Sequence, residues 1–299
     1  MKVGYVALVG RPNVGKSTLL NEILGQKVAI VSSKPQTTRI SILGIKTTAK
    51  GQIIFVDNPG IHRPLHKLNK RMMNFVYSSL ETSDLICLLI DATQKFGHGD
   101  EFVIETLKKV KIPIFLLINK VDIVKKEKIL LLIDKYKDLL DFKEIIPISA
   151  LKGTNVDVLE DEIYKYLPEA EKIFSEDEVS DQSERFLLSE IIREKVLEHV
   201  EQELPFVTAV YIEKIERRTK SSDSQTPLTY IQAKIFVEED SHRKIVIGRQ
   251  GQLIKTIGTE ARRELEEILE SKVFLDLQVK VKEKWRDSED VLNLIEGQK

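Results

Sequence analysis

Between residues 5 and 167 the chain alternates short, continuous apolar runs with amphipathic stretches. Such runs are typical of strands buried on both faces, as in a parallel sheet covered by helices. The candidate strands are Tyr5–Val9, Ile53–Val56, Leu85–Ile90, Ile114–Ile118 and Ile145–Ile148. Ile40–Thr47 and Gln52–Val56 are too close for a helical crossover, which predicts an antiparallel hairpin at the sheet edge. The pattern therefore predicts an α/β domain with a mostly parallel sheet.

The pattern changes after Pro168. Residues 169–184 are acidic and lack apolar periodicity, which indicates a linker between domains spanning residues 1–168 and 185–299. Beyond it, the order α-β-β-α-α-β and a terminal helix predict a smaller α+β domain. Its parts are a helix at Phe186–Val200, strands at Val207–Ile215 and Tyr230–Val237 joined by a polar loop at Ser221–Thr226, two short helical stretches divided at Gly248–Gly251, and a strand at Val273–Val281.

Composition limits the class of protein. The chain has 299 residues, 46 basic and 47 acidic side chains and a net charge of −1, so contact with nucleic acid requires a local patch. The one cysteine, Cys87, lies in an apolar strand, so no disulfide framework is expected and a reducing, intracellular setting fits best. The N-terminal apolar stretch is too short to span a bilayer. We expect a mainly cytoplasmic protein.

The segment Gly10-Arg11-Pro12-Asn13-Val14-Gly15-Lys16-Ser17 matches the phosphate-loop pattern and lies between the first strand and a predicted helix, Lys16–Leu24. Its glycines let backbone N–H groups converge on a β-phosphate, Lys16 reaches the β- and γ-phosphates, and the Ser17 hydroxyl is a ligand for Mg²⁺. Alone, this motif predicts only a nucleoside triphosphate.

Two further segments complete the predicted metal and γ-phosphate site. Asp57-Asn58-Pro59-Gly60 follows the strand ending at Val56, so Asp57 would face Mg²⁺ through a water and the Gly60 N–H would face the γ-phosphate. Thr38 lies in a polar loop before the edge strand and can close on the metal when the γ-phosphate is present. Release of both segments after hydrolysis would be a switch.

Base specificity is predicted by Asn119-Lys120-Val121-Asp122 and Ser149-Ala150-Leu151, which follow apolar strands. The Asp122 carboxylate can accept from guanine N1–H and from the exocyclic amine, whereas adenine has an acceptor at N1 and lacks that amine. Ser149-Ala150-Leu151 would supply backbone N–H near guanine O6. Because parallel strands place their carboxyl ends at one edge, these segments together predict a GTP site.

Ile61 occupies the position after Asp-x-x-Gly, where many phosphate-loop GTPases have a water-orienting glutamine. Isoleucine cannot orient water, so we expect slow intrinsic turnover that needs help. The Asn13 side-chain oxygen could hold K⁺ beside the phosphates where an arginine finger would otherwise act; alternatively, Asn13 only caps the loop. The predicted catalytic residues are Asn13, Lys16, Thr38 and Gly60.

Residues 241–255 carry four Lys or Arg residues and no acid. The glycines of Gly248-Arg249-Gln250-Gly251 let the backbone approach a sugar-phosphate chain, which is the loop pattern of the KH module for single-stranded RNA; a plain helix–helix turn is the alternative. The predicted RNA contacts are Arg243, Lys244, Ile247, Gly248, Arg249, Gln250, Gly251 and Lys255. Lys280, Lys282, Lys284, Trp285 and Arg286 could extend the path, unless Trp285 packs on the body of the domain.

Together these residues resemble the Era family of bacterial and organellar GTPases, in which a GTPase domain precedes a type II KH domain. The resemblance covers nearly the whole chain. Its motifs are Gly10–Ser17, Pro35–Arg39, Asp57–Gly60, Asn119–Asp122, Ser149–Leu151, Glu203–Pro205 and Ile247–Gly258, with Asn58 where the family usually has threonine. The resemblance implies a role in small ribosomal subunit assembly, with the KH domain holding the 3′ end of 16S-type ribosomal RNA and GTP gating that grip. It also implies peripheral association with the inner membrane.

Two other functions share parts of this pattern. The chain could be an RNA-binding chaperone in which GTP is bound but hydrolysis is incidental. It could also be a GTPase acting on transfer RNA or on another enzyme's substrate, although the sequence has no second catalytic constellation. The histidines lack metal-ligand spacing and are interpreted as ordinary surface or loop residues, and the lack of an extended apolar stripe favours a monomer.

Overall fold

The computed structural model describes residues 1–34, 36–218 and 227–299. They form two compact units: the first unit comprises residues 1–31, 36–65 and 69–181, and the second unit contains the described residues from 182 onward. The polar loop predicted at Ser221–Thr226 lies outside the described residues. No helix within the described ranges is long and apolar enough to cross a bilayer.

The first unit contains a six-stranded sheet in the order β2-β3-β1-β4-β5-β6. Its strands are β1 (Lys2–Gly10), β2 (Ile42–Thr48), β3 (Gly51–Asp57), β4 (Leu85–Asp91), β5 (Ile114–Asn119) and β6 (Phe142–Pro147). All neighbours are parallel except β2 and β3, which form the predicted antiparallel hairpin. The sixth strand begins before the predicted Ile145, because its half-exposed first residues lie at the sheet edge and interrupt the apolar pattern.

Helices cover this sheet and hold its loops in place. They are α1 (Lys16–Leu24), α2 (Lys67–Thr82), α3 (His98–Leu107), α4 (Lys126–Tyr136) and α5 (Val156–Tyr166). Every residue of β4 and β5 is buried, and the core includes Leu88 and Leu116 from these strands with Val76 of α2 and Val103 of α3. This packed base fixes the carboxyl ends of the strands, where the predicted nucleotide segments begin.

The predicted linker at residues 169–184 is mostly part of the first unit. Residues 169–181 group with that unit and run beside the edge strand β2, where the Ile45 N–H donates to Val179 O at 2.9 Å. An edge strand presents unpaired N–H groups, so backbone hydrogen bonds can hold an acidic segment that has no apolar periodicity. The sequence pattern therefore does not reveal this docking.

Gln52 of β3 fixes the same segment. Its side chain is fully buried, and its Oε1 accepts from the N–H groups of Ile173 at 2.9 Å and Phe174 at 3.0 Å. Its Nε2 donates to Phe174 O and to Thr47 Oγ1, both at 2.9 Å. A buried amide that is satisfied in this way stabilises the bound segment, because its partners lose their hydrogen bonds if the segment leaves.

The second unit has a three-stranded sheet in the order β7-β8-β9. Its elements are α6 (Glu184–His199), α7 (Leu204–Val207), β7 (Ala209–Arg218), β8 (Leu228–Val237), α8 (Asp240–Ile247), α9 (Gln252–Leu269), β9 (Lys272–Val281) and α10 (Glu289–Glu296). The pair β7–β8 is antiparallel and β8–β9 is parallel. The predicted order is confirmed, but α9 is a long helix rather than a short stretch, and α7 was not predicted.

Trp285 belongs to the core of the second unit. It is fully buried, and its Nε1 donates to Val207 O at 2.7 Å. A buried indole whose N–H is satisfied by the protein cannot also stack on a base. Trp285 therefore packs on the body of the unit and does not extend an RNA path.

Candidate functional site

The phosphate-loop segment connects β1 to α1. Gly15 immediately precedes α1 with φ of 101°, and a Cβ at this position would lie only 2.2 Å from Asn119 Nδ2. Glycine is required here on both grounds. Asn119 Nδ2 also donates to Val14 O at 2.8 Å. The structure therefore brings the predicted loop and the predicted base-specificity segment into contact at the carboxyl ends of β1 and β5.

The three residues predicted to hold Mg²⁺ lie together. Ser17 Oγ donates to Asp57 Oδ2 at 2.6 Å and lies 3.0 Å from Thr38 Oγ1, which is 3.4 Å from the same carboxylate oxygen. Within the described residues, Asp57 Oδ1 is buried and has no hydrogen-bond partner. A buried carboxylate oxygen without a donor beside two hydroxyl groups fits a hard cation such as Mg²⁺.

Asp57 and Lys16 are buried, with 0% and 6% of their surfaces exposed. Burial disfavours the charged form of each side chain. Burial raises the pKa of the Asp57 carboxyl, although Lys16 and hydrogen bonds from Ser17 and Thr38 act in the opposite direction. Burial lowers the pKa of the Lys16 ammonium. A cation beside Asp57 and phosphates beside Lys16 would stabilise the charged form of each group.

Gly60 lies directly against the phosphate loop, since a Cβ at this position would be 2.6 Å from Pro12 N. The next residue, Ile61, donates its N–H to Gly10 O at 2.9 Å. The Ile61 side chain is 2% exposed and packs in the apolar core. The backbone around Gly60 therefore faces the loop while the Ile61 side chain is buried in the core.

Asn58 has a structural environment that suits an amide. It is fully buried, its Oδ1 accepts from Ser41 Oγ at 2.8 Å, and its Nδ2 donates to Val56 O at 3.1 Å. These bonds join the end of β3 to the loop before β2. The replacement of the family's usual threonine is thus accommodated by satisfied hydrogen bonds.

The segments predicted to recognise the base line a cavity of about 180 Å³. Asp122 Oδ1 accepts from Ser149 Oγ at 2.7 Å, and Asn119 Oδ1 accepts from the Ala150 N–H at 2.9 Å. Leu151 and Lys120 also line the cavity. The structure therefore gathers the residues predicted to recognise guanine, and one Asp122 carboxylate oxygen is already oriented by Ser149.

Lys120 has two hydrogen-bond partners that were not predicted from the sequence. Its backbone is left-handed, with φ of 66°, and its Nζ donates to Asn13 O at 3.0 Å and to Asp91 Oδ2 at 2.7 Å. Burial raises the pKa of Asp91, but hydrogen bonds from Lys120 and Thr93 outweigh it and the pKa lies below its usual value. Asp91 ends an apolar strand, as Asp57 does. Its position in the sequence could therefore have identified it as a residue near the site.

Arg11 forms an ion pair that no sequence signal predicted. Its Nη1 donates to Asp100 Oδ2 at 2.9 Å, and the same carboxylate oxygen accepts from the Gly97 N–H at 2.9 Å. Asp100 thus caps α3 and holds the phosphate loop at once. Sequence spacing cannot show this pairing because the two residues are far apart along the chain.

The Gly-x-x-Gly loop of the second unit divides α8 from α9. Gly248 and Gly251 have φ of 73° and 75°, and Gln250 between them has φ of 51°. A Cβ at Gly248 would lie 2.7 Å from Leu253 Cβ, whereas nothing lies within 4 Å of that position at Gly251. Arg249 and Gln250 are exposed. The loop therefore presents its backbone openly at the Gly251 side, where a ligand could approach.

The other predicted RNA contacts differ in environment. Lys255 is exposed and Ile247 is half-buried, next to the loop. Arg243 and Lys244 are exposed but pair with Asp240, at 2.7 and 3.2 Å. Exposed pairs of this kind are weak, so both cations could exchange partners at small cost. Among the histidines predicted at the surface or in loops, His242 is instead buried in α8, so that interpretation is wrong for it.

Comparisons with known proteins match both units. Residues 5–120 match a family model described as 50S ribosome-binding GTPase, and residues 208–286 match one described as KH domain. Over 98% of its length the chain is 46% identical to GTPase Era of Ruminiclostridium cellulolyticum, of which 97% is covered. This chain belongs to the Era family of GTPases. GTPase Era of Halothermothrix orenii is 45% identical over 97% of each chain.

Solved Era structures resemble the whole chain. One is a crystal structure of Era in complex with MgGDPNP and nucleotides 1506–1542 of 16S ribosomal RNA, with a TM-score of 0.92 and 43% identity over 99% of this chain and 98% of that chain. An Aquifex aeolicus Era variant bound to GDP·AlF₄⁻ has a TM-score of 0.91 and 42% identity over 99% of both chains. As an Era family member, this chain is a GTPase with a C-terminal KH domain.

Proposed function

We propose that this Era-family GTPase binds the 3′ end of small-subunit ribosomal RNA through its KH domain, and that GTP binding and hydrolysis time that grip during small ribosomal subunit assembly. The main support for this proposal is the open Gly248–Gly251 loop between α8 and α9. In addition, the similarity of this chain to an RNA-bound Era covers both domains. Glycines in this loop let backbone approach phosphates, and exposed Arg249 adds positive charge. Cytoplasmic location, a monomeric state and peripheral membrane association stay predictions.

The RNA proposal is tested by binding of the 3′-terminal segment of 16S ribosomal RNA with GDP and then with a non-hydrolysable GTP analogue. Gly248→Asp plus Gly251→Asp should weaken binding by at least about tenfold, because the added carboxylates repel phosphates. Asn74→Asp plus Ser78→Asp adds the same charge on the exposed face of α2 in the first unit and should leave RNA binding unchanged. Equal affinity of the loop variant and the native protein would contradict the proposal.

The nucleotide site would hold Mg²⁺ through Ser17, Thr38 and Asp57, and the ion would neutralise phosphate charge. The remaining residues act directly on the nucleotide: Lys16 binds phosphate oxygens, and Gly60 offers its N–H to the γ-phosphate. Turnover would be slow, because Ile61 is packed in the core and no side chain at that position orients water.

Asn13 would hold K⁺ beside the phosphates. Its backbone is left-handed, with φ of 63°, and its carbonyl oxygen accepts from Lys120 Nζ. GTP turnover should be faster in K⁺ than in Na⁺, and Asn13→Ala should remove that difference. Equal native rates in the two salts would contradict K⁺ binding and leave Asn13 as a cap of the loop.

A further inference from the structure

His62, two residues after Gly60, is held at both ring nitrogens. Nδ1 lies 2.6 Å from Gly60 O, and Nε2 lies 2.9 Å from Nδ2 of Asn69, a residue of α2. Asn69 is only 5% exposed, on a helix whose neighbouring buried positions are apolar. A polar side chain buried on an apolar face needs hydrogen-bond partners, and the imidazole of His62 is one of the partners of Asn69.

The carbonyl oxygen of Gly60 decides the protonation of this ring. A carbonyl only accepts, so Nδ1 must carry a proton and donate to it. In the neutral imidazole Nε2 is then an acceptor, which the Asn69 amide N–H₂ satisfies. Asn69 therefore selects the tautomer of His62 that can bind the Gly60 carbonyl.

The peptide bond between Gly60 and Ile61 is consequently fixed on both sides. His62 binds its carbonyl oxygen, and its N–H, which belongs to Ile61, donates to Gly10 O at 2.9 Å. Gly60 is also pressed against Pro12, with no space for a Cβ. With the following peptide held in this way, the backbone rotation that aims the Gly60 N–H is restricted.

We propose that His62 and Asn69 are positioning residues for GTP hydrolysis, which fix the Gly60–Ile61 peptide so that the Gly60 N–H is aimed at the γ-phosphate. The inference rests on the proposed role of Gly60. Preorganised donors contribute most when they need no rearrangement as charge develops on the transferred phosphoryl group. GDP lacks the γ-phosphate, so loss of this arrangement should affect hydrolysis and leave GDP binding unchanged.

The first test is the steady-state kinetics of Asn69→Ala. The kcat of GTP hydrolysis should fall about tenfold, the loss expected for one oriented hydrogen bond. KM and GDP affinity should stay within about twofold of native. Asn74→Ala on the exposed face of the same helix should keep native kcat. An unchanged kcat in Asn69→Ala, or an equal fall in GDP affinity, would overturn the proposal.

Asn69→Asp gives a readout that a purely structural role would not move. A carboxylate cannot donate to Nε2, so it stabilises the doubly protonated ring at low pH and the opposite neutral tautomer at high pH. Only the former keeps Nδ1–H on Gly60 O, so kcat relative to native should fall as pH rises. The charged or titratable residues Arg11, Arg63 and His98 line the same cavity as His62. They are present in the native protein and in Asn69→Asp, so their effects on kcat cancel in the ratio. If the ratio of the kcat of Asn69→Asp to the native kcat stayed constant across pH, the proposed role of His62 and Asn69 would be contradicted.

Nitrogen NMR of the native protein tests the tautomer without any variant. Nδ1 of His62 should have the shift of a protonated nitrogen and Nε2 that of an unprotonated one; the reverse pattern would overturn the proposal. Gly60→Ala separates this inference from its premise. Alanine keeps the backbone N–H, but its Cβ has no room beside Pro12, so Gly60→Ala should displace that N–H from the γ-phosphate. Normal GTP hydrolysis by Gly60→Ala would mean that the position of this N–H is unimportant and that the role of Gly60 is wrong. Loss of hydrolysis in Gly60→Ala with native kcat in both Asn69 variants would make only the proposed role of His62 and Asn69 wrong.

Discussion

The Ser17 hydroxyl donates to Asp57 Oδ2 at 2.6 Å, which joins the first turn of α1 to the end of β3. Ser17→Ala removes this bond and one predicted metal ligand. We expect GTP turnover in Mg²⁺ to fall about 100-fold, roughly 2.7 kcal/mol in activation free energy. GDP affinity measured with Mg²⁺ and then with EDTA should no longer depend on the metal. Ser78→Ala, exposed on α2, serves as control, and an undiminished effect of Mg²⁺ in Ser17→Ala would exclude Ser17 as a ligand.

Asp122→Asn should convert base preference from guanine to xanthine. Xanthine carries a carbonyl oxygen where guanine carries its exocyclic amine, so an asparagine amide can donate where the carboxylate accepted. We expect GDP affinity to fall at least about 100-fold, because the asparagine N–H₂ would face a donor group of guanine where the carboxylate accepted. XDP affinity should rise above GDP affinity in competition measurements. Retained guanine preference would place the base elsewhere than in the cavity beside Ser149.

The proximity of the predicted nucleotide segments could be foreseen because each of these segments follows an apolar strand. Parallel topology brings the ends of β1, β3, β5 and β6 to one edge of the sheet, so spacing along the chain became proximity in space. The Gly248–Gly251 loop could also be predicted from local sequence, because glycine readily adopts the left-handed backbone conformation that such a turn requires. In both cases the signal was local and needed no knowledge of distant contacts.

Most of the contacts that were not predicted join residues far apart along the chain. Arg11 with Asp100 and Gln52 with Phe174 depend on the three-dimensional register of side chains, which composition and periodicity do not encode. His62 was dismissed with the other histidines because only its geometry beside Gly60 gives it meaning. A polar residue within an apolar strand, such as Gln52 in β3, could have been recognised from the sequence as a side chain that needs hydrogen-bond partners.

Gln52→Ala should release residues 173–174 from the sheet. Three hydrogen bonds to their backbone disappear and buried polar groups lose partners, so we expect the first unit to lose about 2–3 kcal/mol of unfolding free energy. Hydrogen exchange should accelerate at the amides of Ile173 and Phe174, while the Leu88 amide in the core strand β4 stays protected under native conditions. Unchanged exchange at Ile173 and Phe174 would show that Gln52 does not hold this segment.

Asp91→Asn tests the ion pair with Lys120. The Asp91 side chain is 3% exposed, and its pKa in the folded protein is lowered chiefly by Lys120 and Thr93 acting against burial. A lowered folded pKa means that the pair stabilises the protein above the unfolded pKa of about 3.9 and that this stability is lost as pH falls through the folded value. We expect Asp91→Asn to cost about 1–3 kcal/mol at neutral pH and progressively less below about pH 4. The measurement is denaturant unfolding across pH.

The matched control for this pH dependence is Asp134→Asn, because Asp134 in the last turn of α4 pairs with Lys137 just beyond the helix and the Asp134 side chain is 75% exposed. Solvent screens such a pair, so its loss should leave the unfolding curve unchanged at every pH. If Asp91→Asn also left the unfolding free energy unchanged at neutral pH, the Asp91–Lys120 contact would contribute nothing to the stability of the fold. If it were destabilising by the same amount at pH 3 as at pH 7, the cost would come from packing of the amide and not from the charge of Asp91.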